Sequence, residues 1–534
     1  MDAKALFGVG ENLFSKRSFL VNLWQLIAEN FYPERADFSG RRSIGADFAS
    51  DLTTSYPLLV RRDLANSLSS MLRPTEKPWF HITTQYEDRL DNSGKQWLEQ
   101  AAKTQRRAMY DRSAQFNRAT KEGDHDFATF GQCVISLELN KDRDGLLYRA
   151  WHLRDVAWQE NIDGAIGSVY RKWKPTTREL VTLFGGNVHQ DVTTRVAKEP
   201  FAEVDCRHIV VESDMADGKS RTPYVSIFYD AEHNHVMEQI GVMDNPYIIP
   251  RWQTMSGSQY AFSPATVAAL PDARLLQAMS YTLLEAGEKM TNPPLVAVKE
   301  AIRSDISLYA GGITWVDAEY DERLGEVLRP LTQDKSGMPI GIDMQRDARY
   351  MLAEAFYINK LTMPARAPEM TAYEVGQRIQ QYVRDALPLF EPMEAEYNGS
   401  VCERTFSLLM RVGAFGSPMD MPKSLRGAEI QFRFRSPLHD AIEREEGNRL
   451  VEAGTLISGA AQLDPGARHI LDAGIALRAA LEGVGVPAKW LRDEDTVATM
   501  REAEANQQQK QIDLQNMAAG ADAVQKLSAV HAAA

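Results

Sequence analysis

The chain has 534 residues, of which 44% are apolar and 25% charged, enough to bury a sizeable core in about three or four domains. A formal net charge of −13 argues against a protein that grips nucleic acid through a basic face, and leaves open weak contact or a passage that DNA slides through without sticking. No apolar run approaches the ~18 residues of a membrane span, and MDAKALFGVGENLF lacks the basic and apolar regions expected of an export signal.

In chain order, residues 11–31 place Leu13, Phe14, Leu20, Trp24, Ile27 and Phe31 along one side of a helix that Pro33 stops. Residues 34–57 show no periodicity and read as loop. A helix after Pro57 carries Leu58, Arg62, Leu68, Met71 and Leu72. It ends in LRPTEKPWFHI, where two prolines break it and Trp79 and Phe80 lead into a strand. The spacing then predicts one long polar-rich helix over 92–122, with Trp97, Met109 and Phe116.

A β-rich stretch follows. FGQCVISLEL and LLYRAWHL flank the turn NKDRDG as a hairpin, and VAWQENIDGAIGSVYRKW reads as another, turning at Asp163-Gly164. Thr176 and Glu179 have capping-box spacing and open a short helix ending near Gly185. Further strands are expected in AEVDCRHIVVE, YVSIFYD and VMEQIG, before PYIIPRW closes the region.

Helical spacing returns from Pro264 to Met290 in Leu275, Leu276, Met279, Leu283 and Leu284, and Asn292-Pro293-Pro294 stops it. A small α/β piece, 293–342, holds LVAVK and GITWV and closes with SGMPIG. Then Met344, Ala348, Met351, Leu352, Ala355, Phe356 and Leu361 recur at helical spacing. Pro364 and Pro368 interrupt the pattern, each lacking an N–H and biasing its predecessor away from helix. Thr371 and Glu374 restart it with capping-box spacing. One apolar stripe then runs through Val375, Ile379, Val383, Leu387, Phe390, Tyr397, Val401, Leu408 and Val412, with kinks at Pro388 and Pro392. GAEIQFRFR alternates like a half-buried strand, the remainder is helical with Gly-Val-Pro turns, and the last residues read as a solvated helix or disordered tail. A short PARAP loop is thus presented at the tip of two stiff helices, and the helices 264–290 and 344–361 flank a small insertion.

Signals for chemistry are weak. Asp217-Gly218-Lys219-Ser220 ends like a P-loop, but Ser213 stands where that loop needs glycine, and Asp214 and Asp217 would repel phosphates; a polar surface loop is expected. His233-Asn234-His235 puts two imidazoles on one strand face with no spaced Cys or carboxylate to complete a ligand set, and reads as a hairpin turn. Asp124-His125-Asp126 could orient a base, but no nucleophile accompanies it, and it reads as a solvated helix end. Asp142, Asp144 and Gly145 match part of a calcium loop without its other ligands, and read as a tight turn. Cys133, Cys206 and Cys402 are odd in number and far apart, which fits a reducing compartment and argues against a disulfide framework or zinc site. Lys360 precedes PARAP and Arg366 lies within it, either to meet a polyanion or as solvated loop charges. No catalytic residue, cofactor-binding residue or metal ligand is assigned.

Four segments, in this order, resemble the portal or head-to-tail connector proteins of tailed bacteriophages, above all the short-tailed, podovirus-type family. They are LRPTEKPWFHI after an early helix, DFATFGQCVISLE, MTAYEVGQRIQQY after a proline loop, and SPLHDAIEREEG after a terminal strand. The resemblance covers nearly the whole chain and implies an α+β portal-protein fold. Its parts would be an α/β wing over 1–263 and 371–436, stem helices over 264–290 and 344–361, and a small α/β clip over 291–343. A channel loop would occupy 362–370, and a helical crown with the C-terminal tail 437–534. Lys360, Met363, Pro364, Arg366 and Pro368 would face DNA at that loop.

The resemblance further implies a homo-oligomeric ring, usually of twelve subunits, at one capsid vertex of the virion, assembled in the host cytoplasm. Double-stranded DNA would pass through it, driven by the ATPase of the terminase large subunit. The major capsid protein, scaffold and a tail adaptor would be its other partners, with no cofactor and no membrane. Other classes compatible with the pattern are a different virion structural protein, such as a tail adaptor or scaffold, and a soluble enzyme with a helical lid.

Overall fold

Arg17 divides the first predicted helix in two: α1 (Ala3–Lys16) and α2 (Ser18–Phe31) meet at this residue in the computed structural model. Its guanidinium is buried and donates to the backbone carbonyls of Leu153 and Val156 at 3.0 and 2.6 Å, so the break places a cation where loop carbonyls need a donor. Asp2 starts α1 earlier than the apolar spacing suggests, accepting a hydrogen bond from the Ala5 amide at 2.8 Å. The structure describes the residues outside 41–42, 44, 46, 48, 50, 76, 87–89, 217–220, 298–301, 303–314, 316–327, 331–336, 362–392, 435–452, 459–471, 484–485, 487–489, 493–495, 505 and 513–534.

Helix α3 (Tyr56–Leu72) and strand β1 (Phe80–Thr84) stand where expected. The long helix predicted over 92–122 is a second broken one: α4 (Asn92–Met109) and α5 (Phe116–Phe130) flank a turn in which Asp111 caps Ser113 and Gln115 takes φ +54°. The apolar period runs through the break, but Asp111 is an N-cap residue, and that local signal prevails.

The chain forms two compact units, the first of residues 1–72 and 111–401, the second of 73–110 and 402–534. In the first, β2 (Val134–Leu139) and β3 (Leu146–Trp151) form the predicted hairpin. The next hairpin, β4 (Val156–Glu160) and β5 (Ile166–Trp173), turns at Gly164 with φ +77°. Thr176 and Glu179 make the predicted capping box at the head of α6 (Thr177–Phe184), which a short α7 (Gln190–Val196) follows. With β6 (Cys206–Glu212), β7 (Tyr224–Asp230) and β8 (His235–Val242) the second hairpin extends into a five-stranded antiparallel meander, β4-β5-β6-β7-β8. Strand β9 (Tyr247–Ile248) completes a three-stranded sheet with β2 and β3, and β10 (Gln253–Met255) pairs with β11 (Ser258–Phe262).

Side-chain alternation divides the meander's two faces. Ile209, Val211, Val225, Ile227 and Tyr229 pack under Leu6 of α1. Cys206 and Met237 pack on the other side with Leu180, Val188 and Val192 of the α6–α7 segment. Between α2 and α5, Trp24 is buried edge-on against Phe130 and Tyr260, with ring centroids 6.4 and 5.9 Å away.

The first unit continues with α8 (Pro264–Thr291), β12 (Leu295–Ala297) paired antiparallel with β13 (Leu328–Pro330), α9 (Gly337–Ala355) and α10 (Ile358–Leu361). From Gly337 onward the SGMPIG segment forms the first turns of α9, so this helix starts earlier than the apolar spacing from Met344 suggests, and Pro339 sits in the first turn, where its missing N–H is tolerated. The predicted single helix over 344–361 breaks after Ala355, where Tyr357 takes φ +57°. The Thr371 capping box, and the stripe from Val375 to Phe390, lie outside the described residues. Further on, α11 (Ser400–Arg411) leads into the second unit.

In that unit, β14 (Ile430–Phe434) pairs antiparallel with β1, and Trp79 stacks on Phe434 at 6.2 Å. Asp91 caps α4, accepting from the Gly94 amide at 2.9 Å, and Gln105 donates to the Cys402 carbonyl at 2.9 Å. The short helix α12 (Ala473–Gly483) is described within the region read as a crown; SPLHDAIEREEG lies outside the described residues. Cys133, Cys206 and Cys402 are all free and buried.

Candidate functional site

The helix pair α8–α9 is built on a rigid root. Gly131 ends α5 in the left-handed conformation, φ +74°, and a Cβ there would stand 2.1 Å from the Phe262 carbonyl carbon. This close approach sets Ser263 against the end of α5. Ser263 caps α8, and its hydroxyl donates to the Ala128 carbonyl at 2.7 Å; the Thr266 hydroxyl donates to the Thr129 carbonyl at 2.8 Å. Ala265, Ala269, Ala273 and Leu276 are buried along this first half of α8.

Beyond Leu276 the helix leaves the core. The Gln277 side chain fastens the preceding loop, accepting from the Thr53 and Thr54 amides at 2.9 and 3.1 Å. Helix α9 returns antiparallel: Gln345 donates to Ser280 Oγ at 2.8 Å, and Gly341 lies under Leu283, whose Cδ2 would be 3.0 Å from an added Cβ. Among the described residues, the base of α9 re-enters the core at Ala348 and Leu352, followed just past the helix end by Phe356, whose ring lies 5.3 Å from that of Phe31.

Outside this base the pair keeps long apolar side chains in water. Leu275, Tyr281 and Leu284 on α8, and Ile340, Ile342, Met344, Tyr350 and Met351 on α9, are each 46–63% exposed. A helix that meant to sit on a single-chain core would bury such a stripe. The helical spacing of Met344 and Met351 was thus visible in the sequence, but their burial was not.

The residue groups suspected of chemistry lie elsewhere. Asp124-His125-Asp126 is not a solvated helix end but the middle of α5, with both carboxylates buried. Asp126 accepts two bonds from Arg35, Nε at 3.0 Å and Nη2 at 2.6 Å, and holds that guanidinium's pKa up against the lowering effect of burial. His125 contacts Arg61 at 2.6 Å through Nδ1; burial, then the Arg61 charge, push the imidazole down to about 4, so it is neutral at physiological pH. For His125 and Asp126 this is a packed polar network with the two arginines.

Asp142 to Gly145 form a turn, as expected: the Asn140 amide donates to the Gly145 carbonyl at 2.8 Å, and Arg143 takes φ +58°. Asp217 to Ser220 lie outside the described residues, but the Ser213 amide donates to the Pro223 carbonyl at 2.9 Å, which closes the connection between β6 and β7 as a hairpin. His233-Asn234-His235 is the β7–β8 turn, with Asn234 at φ +53°. The fold adds to it what the sequence did not show: His189 and Asp191, from the start of α7, stand beside His233.

The family described as bacteriophage head to tail connecting protein matches residues 3–491 of the chain. The chain belongs to this family. The connector is 24% identical to a probable portal protein of Bordetella phage BPP-1 over 99% of its own length and 96% of the relative's. It is 23% identical to a portal protein of Salmonella phage epsilon15, over 88% and 84% of the two chains. Among solved structures, a chain from the virion of a native gene transfer agent particle matches at 10% identity with a TM-score of 0.32, over 80% of the connector and 94% of that chain. A chain from the neck of an empty particle of the same kind matches at 11% identity with a TM-score of 0.33, over 83% and 95%.

Of the five loop residues singled out in the connector's sequence, Lys360 lies in α10, its Nζ 5.7 Å from the Tyr357 ring centroid. Met363, Pro364, Arg366 and Pro368 lie outside the described residues. What the structure adds is the tether: α9 and α10 fix the chain's position up to Leu361, with Leu352 of α9 and Phe356 between the two helices seated in the core.

Proposed function

We infer that this connector works as a portal protein: a ring at one capsid vertex through which the genome enters and leaves, and onto which the tail is attached. The family match over 3–491 and the near-full-length similarity to two phage portal proteins support the function. The structural observation that carries the finer reading is the α8–α9 pair, whose long apolar residues a single chain leaves exposed. Exposed apolar surface of this extent marks an interaction face, and a closed ring satisfies every copy of it at once.

On this reading α8 and α9 are the stem, and the segment between them, with the β12–β13 pair, is the clip outside the capsid. The residues after α10 are the channel loop, with Met363, Pro364, Arg366 and Pro368 beside Lys360. The meander with its flanking helices belongs to the wing, and the region after residue 437 to the crown. The clip docks the terminase ATPase during packaging and a tail adaptor afterwards, while scaffold and major capsid protein hold the vertex. The connector itself does no catalysis, and the partner ATPase supplies the energy. The acidic balance of −13 suits a bore through which DNA must slide rather than stick.

Deleting residues 364–368 tests the loop. The expected result is intact rings that package or retain DNA poorly; loss of ring assembly would make the loop a packing element instead. ATP hydrolysis by the isolated connector would contradict the division of labour with a motor ATPase.

A further inference from the structure

The β7–β8 turn and the head of α7 bring together a ligand set that neither segment contains alone. One ring nitrogen each of His189 and His233, and a carboxylate oxygen of Asp191, all lie within 4.8 Å of one another. The two imidazoles are stacked with centroids 4.6 Å apart, and His235 stands edge-on to His189 at 5.8 Å. Two stacked imidazoles beside a carboxylate gain little from one another in water. They do match the donor types that a borderline transition-metal ion takes.

The surroundings prepare the imidazoles for that role. The fully buried Asp230 carboxylate accepts from His233 Nδ1 at 2.7 Å. That bond fixes the tautomer, leaves Nε2 with its lone pair for a metal, and makes the ring a better donor, as a carboxylate behind a ligating histidine does. Asp230 is itself held by the turn, its Oδ1 accepting from the Glu232 and His233 amides at 3.0 and 3.1 Å. His235 Nε2 donates to the Asn187 carbonyl at 2.8 Å, which leaves its Nδ1 as a further donor atom. His189 follows the buried Val188, and Val192 beyond Asp191 is buried too, so the head of α7 is anchored on the sheet, while the Asp191 carboxylate, 75% exposed, lies 3.6 Å from His189 Nδ1.

We propose that His189, Asp191 and His233 bind one Zn²⁺ ion, with His235 or water in the fourth position, and that the ion pins the head of α7 to the β7–β8 turn. Zinc takes nitrogen and oxygen donors at ~2.0–2.2 Å, so the donors must draw together from their present separation. Closing the site by turning the His189 ring exchanges the hydrogen bond that its Nδ1 accepts from the Asp191 amide at 3.3 Å for the metal bond.

The test uses the full-length protein, stripped with a chelator and titrated with Zn²⁺ in a calorimeter, with thermal unfolding recorded at each metal level. One saturable Zn²⁺ per chain and a rise in melting temperature are expected. His189→Ala should lose the site; because it also removes the side-chain cap of α7, its metal-free melting temperature should fall slightly, and added Zn²⁺ should no longer raise it. Asp230→Asn should weaken binding about 10- to 100-fold, the usual effect of removing a carboxylate behind a ligating histidine. Co²⁺ in place of Zn²⁺ should give the visible absorption of a tetrahedral site, absent in His233→Ala. Titration of folded wild-type protein without saturable binding, or binding left unchanged by both His189→Ala and His233→Ala, would overturn the proposal.

Discussion

Gln345 donates a hydrogen bond to Ser280 Oγ at 2.8 Å and so fixes the register of α9 against α8. On their outer faces the two helices leave Leu275, Tyr281, Leu284, Met344 and Met351 about half exposed in the single chain. Gln345→Ala should cost about 0.5–1.5 kcal/mol, read as a small fall in the melting temperature of the unassembled chain.

Substituting those outer faces separates assembly from folding. Leu284→Glu and Met351→Glu lie at positions that a single chain leaves about half exposed, so the monomer's stability should change by no more than about 0.5 kcal/mol. Ring formation, measured by mass photometry, should be lost, because each interface would then bury an unpaired carboxylate.

The root of the pair depends on Gly131. With φ +74° and a Cβ site 2.1 Å from the Phe262 carbonyl carbon, Gly131→Ala combines backbone strain with a clash that only backbone movement relieves. The variant should lose about 3 kcal/mol or more in chemical denaturation, if it folds at all.

The Arg35–Asp126 pair should behave as a buried ion pair broken on one side. Asp126→Ala leaves the guanidinium with its partner gone and should cost about 3–5 kcal/mol, far more than the same change at the exposed Asp343.

His125 gives the fold a pH dependence of known sign. Its folded pKa, pushed down to about 4 by burial and by Arg61, lies below the ~6.5 of the unfolded chain. Between those values the unfolded chain binds a proton that the folded chain refuses, so stability present above pH ~6.5 is lost as pH falls toward 4. The midpoint of urea denaturation should therefore drop from pH 7 to pH 5 more steeply in wild type than in His125→Gln.

Much of this was legible in the sequence for a physical reason: local signals decide local structure. The Thr176–Glu179 capping box, the Asp163-Gly164 turn and the Asn292-Pro293-Pro294 stop each act within a few residues, and each stands where it was expected. Arg17 and Asp111 break helices whose apolar period continues, Arg17 because its side chain serves carbonyls more than a hundred residues away. Asp124 and Asp126 were placed in solvent by their polarity, whereas Arg35, distant in sequence, supplies the charge that lets Asp126 be buried. His189 was invisible as a neighbour of His233 because only the packing of α7 on the meander joins them. The exposure of Met344 and Met351 could not be read from spacing, since a stripe looks the same whether its own chain or a neighbouring one covers it.

The most direct measurement is negative-stain electron microscopy of the purified full-length chain, with mass photometry on the same sample. The account predicts rings with a central hole and a mass near that of twelve chains. A single monomeric species that stays monomeric when scaffold and capsid protein are added, or assemblies without a central channel, would contradict it.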